Sequence, residues 1–324
     1  MKAVSFHSEG IVCILRLFVR KNLLDLDLIV SVRSRYPVYT LNMGKVDETT
    51  IRESASLQEK EDLLAEELRA LVGGESAGGK LAIAFSGGVD STFLLAFAHQ
   101  HIGDRAIAFT AQSAFFPRSE SSFTKRFCEE HAIVQHIFDI DVLSESAIAQ
   151  NPPDRCYNCK RLIFTKMMDA ANDLGCVAIA DGTNADDDYD DRPGMRALDE
   201  LGVKSPLRDV GLTKDDIRHL SRKLHLPTSD KPSLACLATR ISHGVALADD
   251  DLRAVERSEE VVRSLGFEQC RVRIDGEGKR VARIEVSPDK IEQLISEPIR
   301  KDLDEKLRSI GFERVSLDLR GYGN

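Results

Sequence analysis

Tryptophan is absent from the 324 residues, and 14 phenylalanines and five tyrosines make up the aromatic complement, so no stacking platform for single-stranded nucleic acid is evident. Positive charge is also short. Lys and Arg total 44 against 53 Asp and Glu, a formal charge of −9, whereas wholesale binding to a phosphate backbone needs the opposite balance. Long apolar runs are missing: the longest early one, 11–19, is interrupted by Arg16 and is about half of a membrane span. The basic pair Arg20 and Lys21 follows that run instead of preceding it, against the order of a signal peptide. Seven cysteines, an odd number in so long a chain, do not read as a secreted disulfide framework. A cytoplasmic location is expected, with clustered thiols judged first as metal ligands or nucleophiles.

What is present is an ordinary globular composition, 42% hydrophobic and 30% charged, which excludes collagen-like, fully disordered and integral-membrane classes. The length exceeds what one core usually serves, so two domains are expected. Residues 1–42 form a leader with strand-like pieces such as 28–32 that match nothing downstream, and translation from Met43 is one account of them. Leu57, Leu64, Leu68 and Leu71 share a helical face that Gly73-Gly74 should stop after about five turns. Strands at 81–85, 106–111, 134–140 and 176–180 then alternate with helices at 91–101, 119–132 and 162–174, followed by a helix at 213–224. This alternation predicts an α/β fold, a doubly wound parallel sheet with ligands at the strand carboxyl ends. A boundary near 229–243 separates that domain, 43–230, from a smaller C-terminal α+β domain, 231–324. The second domain has helices at 249–265, 288–294 and 298–310 and strands at 270–274, 281–286 and 314–319.

Between the first core strand and its helix lies Ser86-Gly87-Gly88-Val89-Asp90-Ser91-Thr92, where backbone N–H groups and the helix dipole converge on an anion. Gly87 and Gly88 let the backbone approach a phosphate, Ser86, Ser91 and Thr92 add hydroxyls, and Asp90 is suited to a Mg2+ bridging phosphate oxygens. The stretch is no Walker A loop, since it lacks the Gly-Lys-Ser ending. It resembles the PP-loop of ATP pyrophosphatases, and that resemblance implies ATP cleavage to AMP and pyrophosphate with adenylation of a carboxylate or amide oxygen. The alternative is a ligand-free Gly-Ser turn.

The source of the second nucleophile has to be sought elsewhere. Cys156 and Cys159 form a Cys-x-x-Cys pair, which by spacing alone serves a redox dithiol, half a zinc site or an iron-sulfur cluster. Cys236, at the domain boundary, is a third candidate. Cys128, Cys176 and Cys270 lie in regular elements and read as small hydrophobes, as does Cys13 in the leader.

Taken in order, 86–92, Asn151-Pro152-Pro153-Asp154-Arg155-Cys156, Asp181-Gly182-Thr183-Asn184 with Asp191-Arg192-Pro193-Gly194, the Cys236 segment from Lys231 to Arg240, and Arg271-Val272-Arg273 resemble LarE-type ATP-dependent sulfur transferases from about residue 57 to 322. The resemblance implies sulfur insertion into a pyridinium-3,5-dicarboxylate mononucleotide, in biosynthesis of a nickel-pincer nucleotide cofactor. One kind of member has only the cysteine matching Cys236 and sacrifices its sulfur, leaving dehydroalanine. The other holds a 4Fe-4S cluster on three cysteines, and Cys156, Cys159 and Cys236 align this chain with it. By the same resemblance Arg271 and Arg273 are substrate-binding and Glu259 is catalytic beside Cys236. Without the family, Glu259 reads as a solvated helix carboxylate, and the arginines, alternating on one strand face, read equally as a bidentate grip on a substrate phosphate or as surface cross-strand charge. Asp181 and Gly182 are expected to orient the nucleotide or magnesium, while the acidic cluster Asp186, Asp187, Asp188, Asp190 and Asp191 reads as a solvated loop. His99, His101, His219 and His225 fall on expected helices without metal-ligand spacing. After Tyr322 the family pattern has an arginine, where this chain has Gly323 and Asn324.

The reading is therefore an ATP-dependent sulfurtransferase, using ATP, Mg2+ and a 4Fe-4S cluster on a small mononucleotide and forming a homo-oligomer. No membrane or nucleic-acid partner is expected. Thiolation of tRNA, ammonia-dependent amidation, and a non-catalytic ATP and iron-sulfur sensor are the rivals.

Overall fold

The structure, a computed structural model, describes residues 56–74, 78–187, 193–232, 235–276 and 280–323, together with the backbone of four strands before residue 43. Met43, Asp188, Asp190, Asp191, Arg192, Ser233 and Leu234 lie outside the described residues, as does the side chain of Cys13. The four early strands, β1 (Lys2–Ser8), β2 (Ile11–Arg20), β3 (Leu23–Val32) and β4 (Tyr39–Asn42), pair as an antiparallel meander.

The first described helix, α1 (Leu57–Leu71), is a turn shorter than its hydrophobic spacing suggests, because Ser56 closes it with a capping box to Glu59. Gly73 and Gly74 follow its end at positive φ, as their position predicts. The central sheet holds β5 (Lys80–Ala84), β6 (Ala106–Gln112), β7 (Gln135–Asp139) and β8 (Cys176–Ala180), all parallel, in the order β7-β6-β5-β8. A one-residue bridge from Ala180 to Lys204 extends it. The chain winds outward from β5 through β6 to β7 and then returns to the other side of β5, so the direction of winding reverses there. The carboxyl end of β5, where 86–92 begins, is thus the crevice of the sheet.

Alternation along β5 feeds both layers. Leu81 and Ile83 join a core with α1, α2 (Val89–Ile102), and Phe127 and Cys128 of α3 (Arg118–Glu130). Ala82 faces the other core, with Ile163, Phe164 and Met167 of α4 (Arg155–Asp173) and Met195 and Leu198 of α5 (Pro193–Glu200). Helix α6 (Lys214–Lys223), closed by a Thr213 capping box, adds Ile217 and Leu220 to the first core.

Several local expectations are revised. Helix α4 starts at Arg155 and not near 162, which puts Cys156 and Cys159, three residues apart, within its first two turns and so on one helix face. Cys176 is half-buried because β8 is an outer strand of the sheet, and Val177 beside it is exposed. Cys128 and Cys270 are buried, as expected. His225 lies past the end of α6 at φ 53°, outside the helix.

Beyond residue 236, α7 (Asp249–Ser264) faces two ways. Leu252 and Val255 pack into the second core of the sheet, while Ala254 and Val262 pack into a third core with β9 (Cys270–Asp275), β10 (Val281–Val286) and α8 (Ile299–Ile310). Strand β10 pairs antiparallel with β9 and parallel with β11 (Arg314–Leu317), giving a small mixed sheet.

Candidate functional site

The phosphate loop is built by its glycines and hydroxyls. Gly87 has φ 80°, and a Cβ on it would come 2.9 Å from Glu120 Oε2. Gly88 is the N-cap of α2 and offers no side chain, so the first amides of that helix are free of a side-chain cap. Ser86 Oγ and Ser91 Oγ lie 3.1 Å apart, and Ser91 Oγ donates to Gly88 O at 3.2 Å. Thr92 is fully buried and donates to Gly88 O at 2.8 Å, so its hydroxyl braces the turn and does not face the cavity.

That cavity, of about 660 Å3, lies within the size range of small-molecule sites. Ser86, Gly88, Asp90 and Ser91 line it, together with Asp181, Gly182, Cys156 and Cys236. Gly182 is needed there, since a Cβ would approach Ser91 N to 2.9 Å. Asp181 is buried and already accepts from Thr183 Oγ1 at 2.6 Å and Ser205 Oγ at 2.8 Å. Asp90 is different. Its Oδ2 accepts from Lys214 Nζ, while Oδ1 is buried and among the described residues has no hydrogen-bond partner. Burial pushes the Asp90 carboxyl up, against the lowering effect of Lys214. An orphaned carboxylate oxygen in the cavity wall fits a divalent cation.

Two lysines supply the positive charge that the loop's own sequence lacks. Lys214 comes from the first turn of α6. Lys231 donates to Gly87 O at 2.9 Å and to Glu120 Oε2 at 2.6 Å, with its ammonium 4.7 Å from the centre of the Phe123 ring. Sequence reasoning names neither as a site residue. Lys231 stands at the head of the Cys236 segment, but nothing local points to Lys214.

The two cysteine-bearing segments are tied to each other by a buried arginine. Arg155 donates to Asn151 Oδ1 and, at 3.1 Å, to Ala238 O, and its other terminal nitrogen lies 3.7 Å from Cys156 Sγ. Asn151 donates in turn to Ser242 O at 2.8 Å. The start of α4 is thereby tied to the segment after Cys236. Cys156 is exposed, whereas Cys159 and Cys236 are half-buried. Burial, then the neighbouring Cys236 and Cys156, push the Cys159 thiol up to about 12. Burial also raises Cys236, opposed by Arg155 and Arg240. Among the described residues no three His, Cys, Asp or Glu side chains converge as the ligand set of a single metal ion. Cys156 and Cys236 both line the cavity, and three cysteine thiols are by their chemistry a donor set of the kind that holds an iron-sulfur cluster.

Glu259 does not line the cavity, and it is not solvated. It is buried at 1% exposure and accepts from Arg240 at 2.7 and 3.2 Å, from Arg263 at 2.7 Å and from Val272 N at 3.2 Å. Arg240 passes that anchoring on, donating to Ala235 O at 3.0 Å and Cys236 O at 3.3 Å. Arg271 and Arg273 also lie outside the cavity lining. Arg273 bonds Glu285 and donates to Thr239 O at 2.8 Å, and Arg271 stacks on Tyr322.

No protein-family model matches the chain. It is 35% identical over 240 residues to an uncharacterized protein of Synechocystis, covering 74% of this chain and 88% of the relative. It is 32% identical over 244 residues to the pyridinium-3,5-bisthiocarboxylic acid mononucleotide synthase of Lactiplantibacillus plantarum, covering 75% of this chain and 87% of that enzyme. A shorter likeness, 30% over 173 residues and about half of each chain, links it to a subunit of the glutamine-hydrolyzing GMP synthase of Pyrococcus furiosus. Among the described residues no helix is long and apolar enough to cross a membrane. With its parallel sheet, phosphate loop and likeness to the mononucleotide synthase over three quarters of its length, the chain belongs to the LarE-type family of ATP-using PP-loop proteins.

Proposed function

We propose that this protein is an ATP-dependent sulfurtransferase that converts a carboxylate of a pyridinium mononucleotide to a thiocarboxylate, for nickel-pincer nucleotide biosynthesis. The observation that carries the reading is that Cys156 and Cys236 share one cavity wall with Ser86, Asp90 and Ser91. An ammonia-dependent amidating PP-loop protein has no need of thiols at that place.

In this reading the free amides at the start of α2 and the Ser86 and Ser91 hydroxyls hold the ATP phosphates, with Lys214 and Lys231 beside them. Asp90 would hold Mg2+, which supplies charge neutralisation at the phosphates when bound. A substrate carboxylate oxygen attacks the α-phosphorus, the bond to the bridging oxygen breaks, and pyrophosphate leaves. The product is an acyl-adenylate. A sulfur nucleophile then attacks the acyl carbon and AMP departs with the oxygen, leaving sulfur on the carbon. Cys156, Cys159 and Cys236 would hold a 4Fe-4S cluster, which supplies transferable sulfide; Cys236 itself is the alternative donor.

The test is anaerobic purification with iron and sulfide assays, followed by incubation with ATP and pyridinium-3,5-dicarboxylate mononucleotide and mass analysis of the product. Exchange of oxygen for sulfur with release of pyrophosphate is expected, and loss of iron in Cys156→Ala supports the cluster. An iron-free protein that still thiolates, with Cys236 converted to dehydroalanine, favours direct sacrifice. ATP turnover without any sulfur in the product would overturn the reading.

A further inference from the structure

Arg271 and Arg273 sit at alternate positions of β9 and so share a sheet face, yet the structure treats them differently. Glu285 is the cross-strand partner of Arg271, but its carboxylate is taken by Arg273 and, at 3.0 Å, by Arg283. Arg273 also reaches Thr239 O, three residues from Cys236. Among the described residues Arg271 has no carboxylate partner, and its Nε is buried without a hydrogen-bond partner. An aromatic ring lies beside it: the guanidinium carbon is 4.7 Å from the centre of Tyr322. A cationic fork with an unmet donor and one flat face covered is prepared for an anion.

The ring is held there by the backbone. Gly321 has φ 77°, and a Cβ on it would come 2.7 Å from Val286 O. Gly321 N donates to Asp318 O at 3.1 Å, and Tyr322 N donates to Val286 O at 2.8 Å. Val286 ends β10 opposite Cys270, next to Arg271. Residues 321–322 thus hook onto the end of the central strand β10, and the aromatic ring of Tyr322 lies on the arginine.

We propose that Tyr322 is a positioning residue that sets the Arg271 guanidinium for a phosphate monoester, while Arg273 ties β9 to the Cys236 turn. This rests on the function proposed above for the source of the phosphate, the mononucleotide substrate. The shared chemistry is a sugar phosphate, so the probes are ribose 5-phosphate and ribose, titrated calorimetrically into the full chain.

The unsubstituted protein should bind ribose 5-phosphate in preference to ribose. Tyr322→Phe, which keeps the ring, should stay within about twofold, and Tyr322→Ala should weaken binding roughly tenfold. ATP affinity should be unchanged in both variants, which shows that the phosphate-loop domain is intact. Equal binding by Tyr322→Ala and the unsubstituted protein would overturn the proposal, as would loss in Tyr322→Phe equal to that in Tyr322→Ala. Displacement of ribose 5-phosphate by ATP would also overturn it, giving the anion site to the nucleotide. If Tyr322-dependent binding is found but no thiocarboxylate forms, the positioning role stands and the substrate assignment falls.

Discussion

Lys214 Nζ donates to Asp90 Oδ2 across 124 residues of chain, placing a cation from α6 on the carboxylate that opens α2. Burial raises the Asp90 carboxyl and Lys214 holds part of that rise back. Removing the lysine leaves burial less opposed, so Asp90 ionises at higher pH still. Lys214→Ala should therefore move the acid limb of ATP-dependent pyrophosphate release to higher pH, whereas Lys214→Arg should move it less. A pH profile of both variants checks this.

Gly182→Ala places a methyl 2.9 Å from Ser91 N and 3.1 Å from Ser91 Cα, against backbone that cannot rotate away. A stability loss of about 1–3 kcal/mol is expected, with weaker ATP binding because the start of α2 must shift. Gly88→Ala is the control for folding, since its Cβ meets only Ser86 Oγ at 3.5 Å. Denaturant melts of the two variants should separate them.

Glu259→Ala strands Arg240, which is 3% exposed and depends on that carboxylate. Breaking a buried pair by removing one partner costs about 3–5 kcal/mol. Because Arg240 also holds the Ala235 and Cys236 carbonyls, alkylation of Cys236 should speed up in the variant. Unfolding curves and peptide mass mapping test the two effects.

Thiol alkylation of the reduced protein free of metal should begin at Cys156, the exposed cysteine of the three at the site. Cys159, with its thiol pushed up to about 12 and half-buried, should lag, as should the buried Cys128 and Cys270, also pushed to about 12. Timed labelling followed by peptide mapping gives the order, and prompt labelling of Cys159 ahead of Cys156 would contradict it.

Asp216 is raised by burial, but the Lys60 hydrogen bond and the Thr213 contacts together outweigh this and leave it below its ordinary 3.8. A depressed carboxyl adds stability that is present above 3.8 and is lost as pH falls through the lower folded value. Lys60→Met should thus lower stability near neutral pH and converge on the unsubstituted protein in stronger acid. Denaturant midpoints measured across that range would show it.

Much of this molecule is legible in local pattern. The apolar run 81–85, the loop 86–92 and the Cys-x-x-Cys spacing involve neighbours in the chain, whose geometry follows from short-range sterics and periodicity. The start of α4 escapes such reading because the polar stretch from Arg155 to Lys160 hides its helical face until Ile163, Phe164 and Met167 pack on the sheet. Glu259 beside Glu260 reads as solvated in sequence, and only the convergence of Arg240, Arg263 and Val272 N makes it a buried anchor.

The sequence alone determined the alternating α/β order, the phosphate loop and the presence of three thiols, because backbone propensity and hydrophobic period act over a few residues. Tertiary structure decided the partners: Lys214 and Lys231 at the loop, Arg155 between the thiol segments, and Arg271 left to Tyr322 while Arg273 and Arg283 share Glu285. Which charge meets which depends on distances set by packing far along the chain, and no local period carries that information.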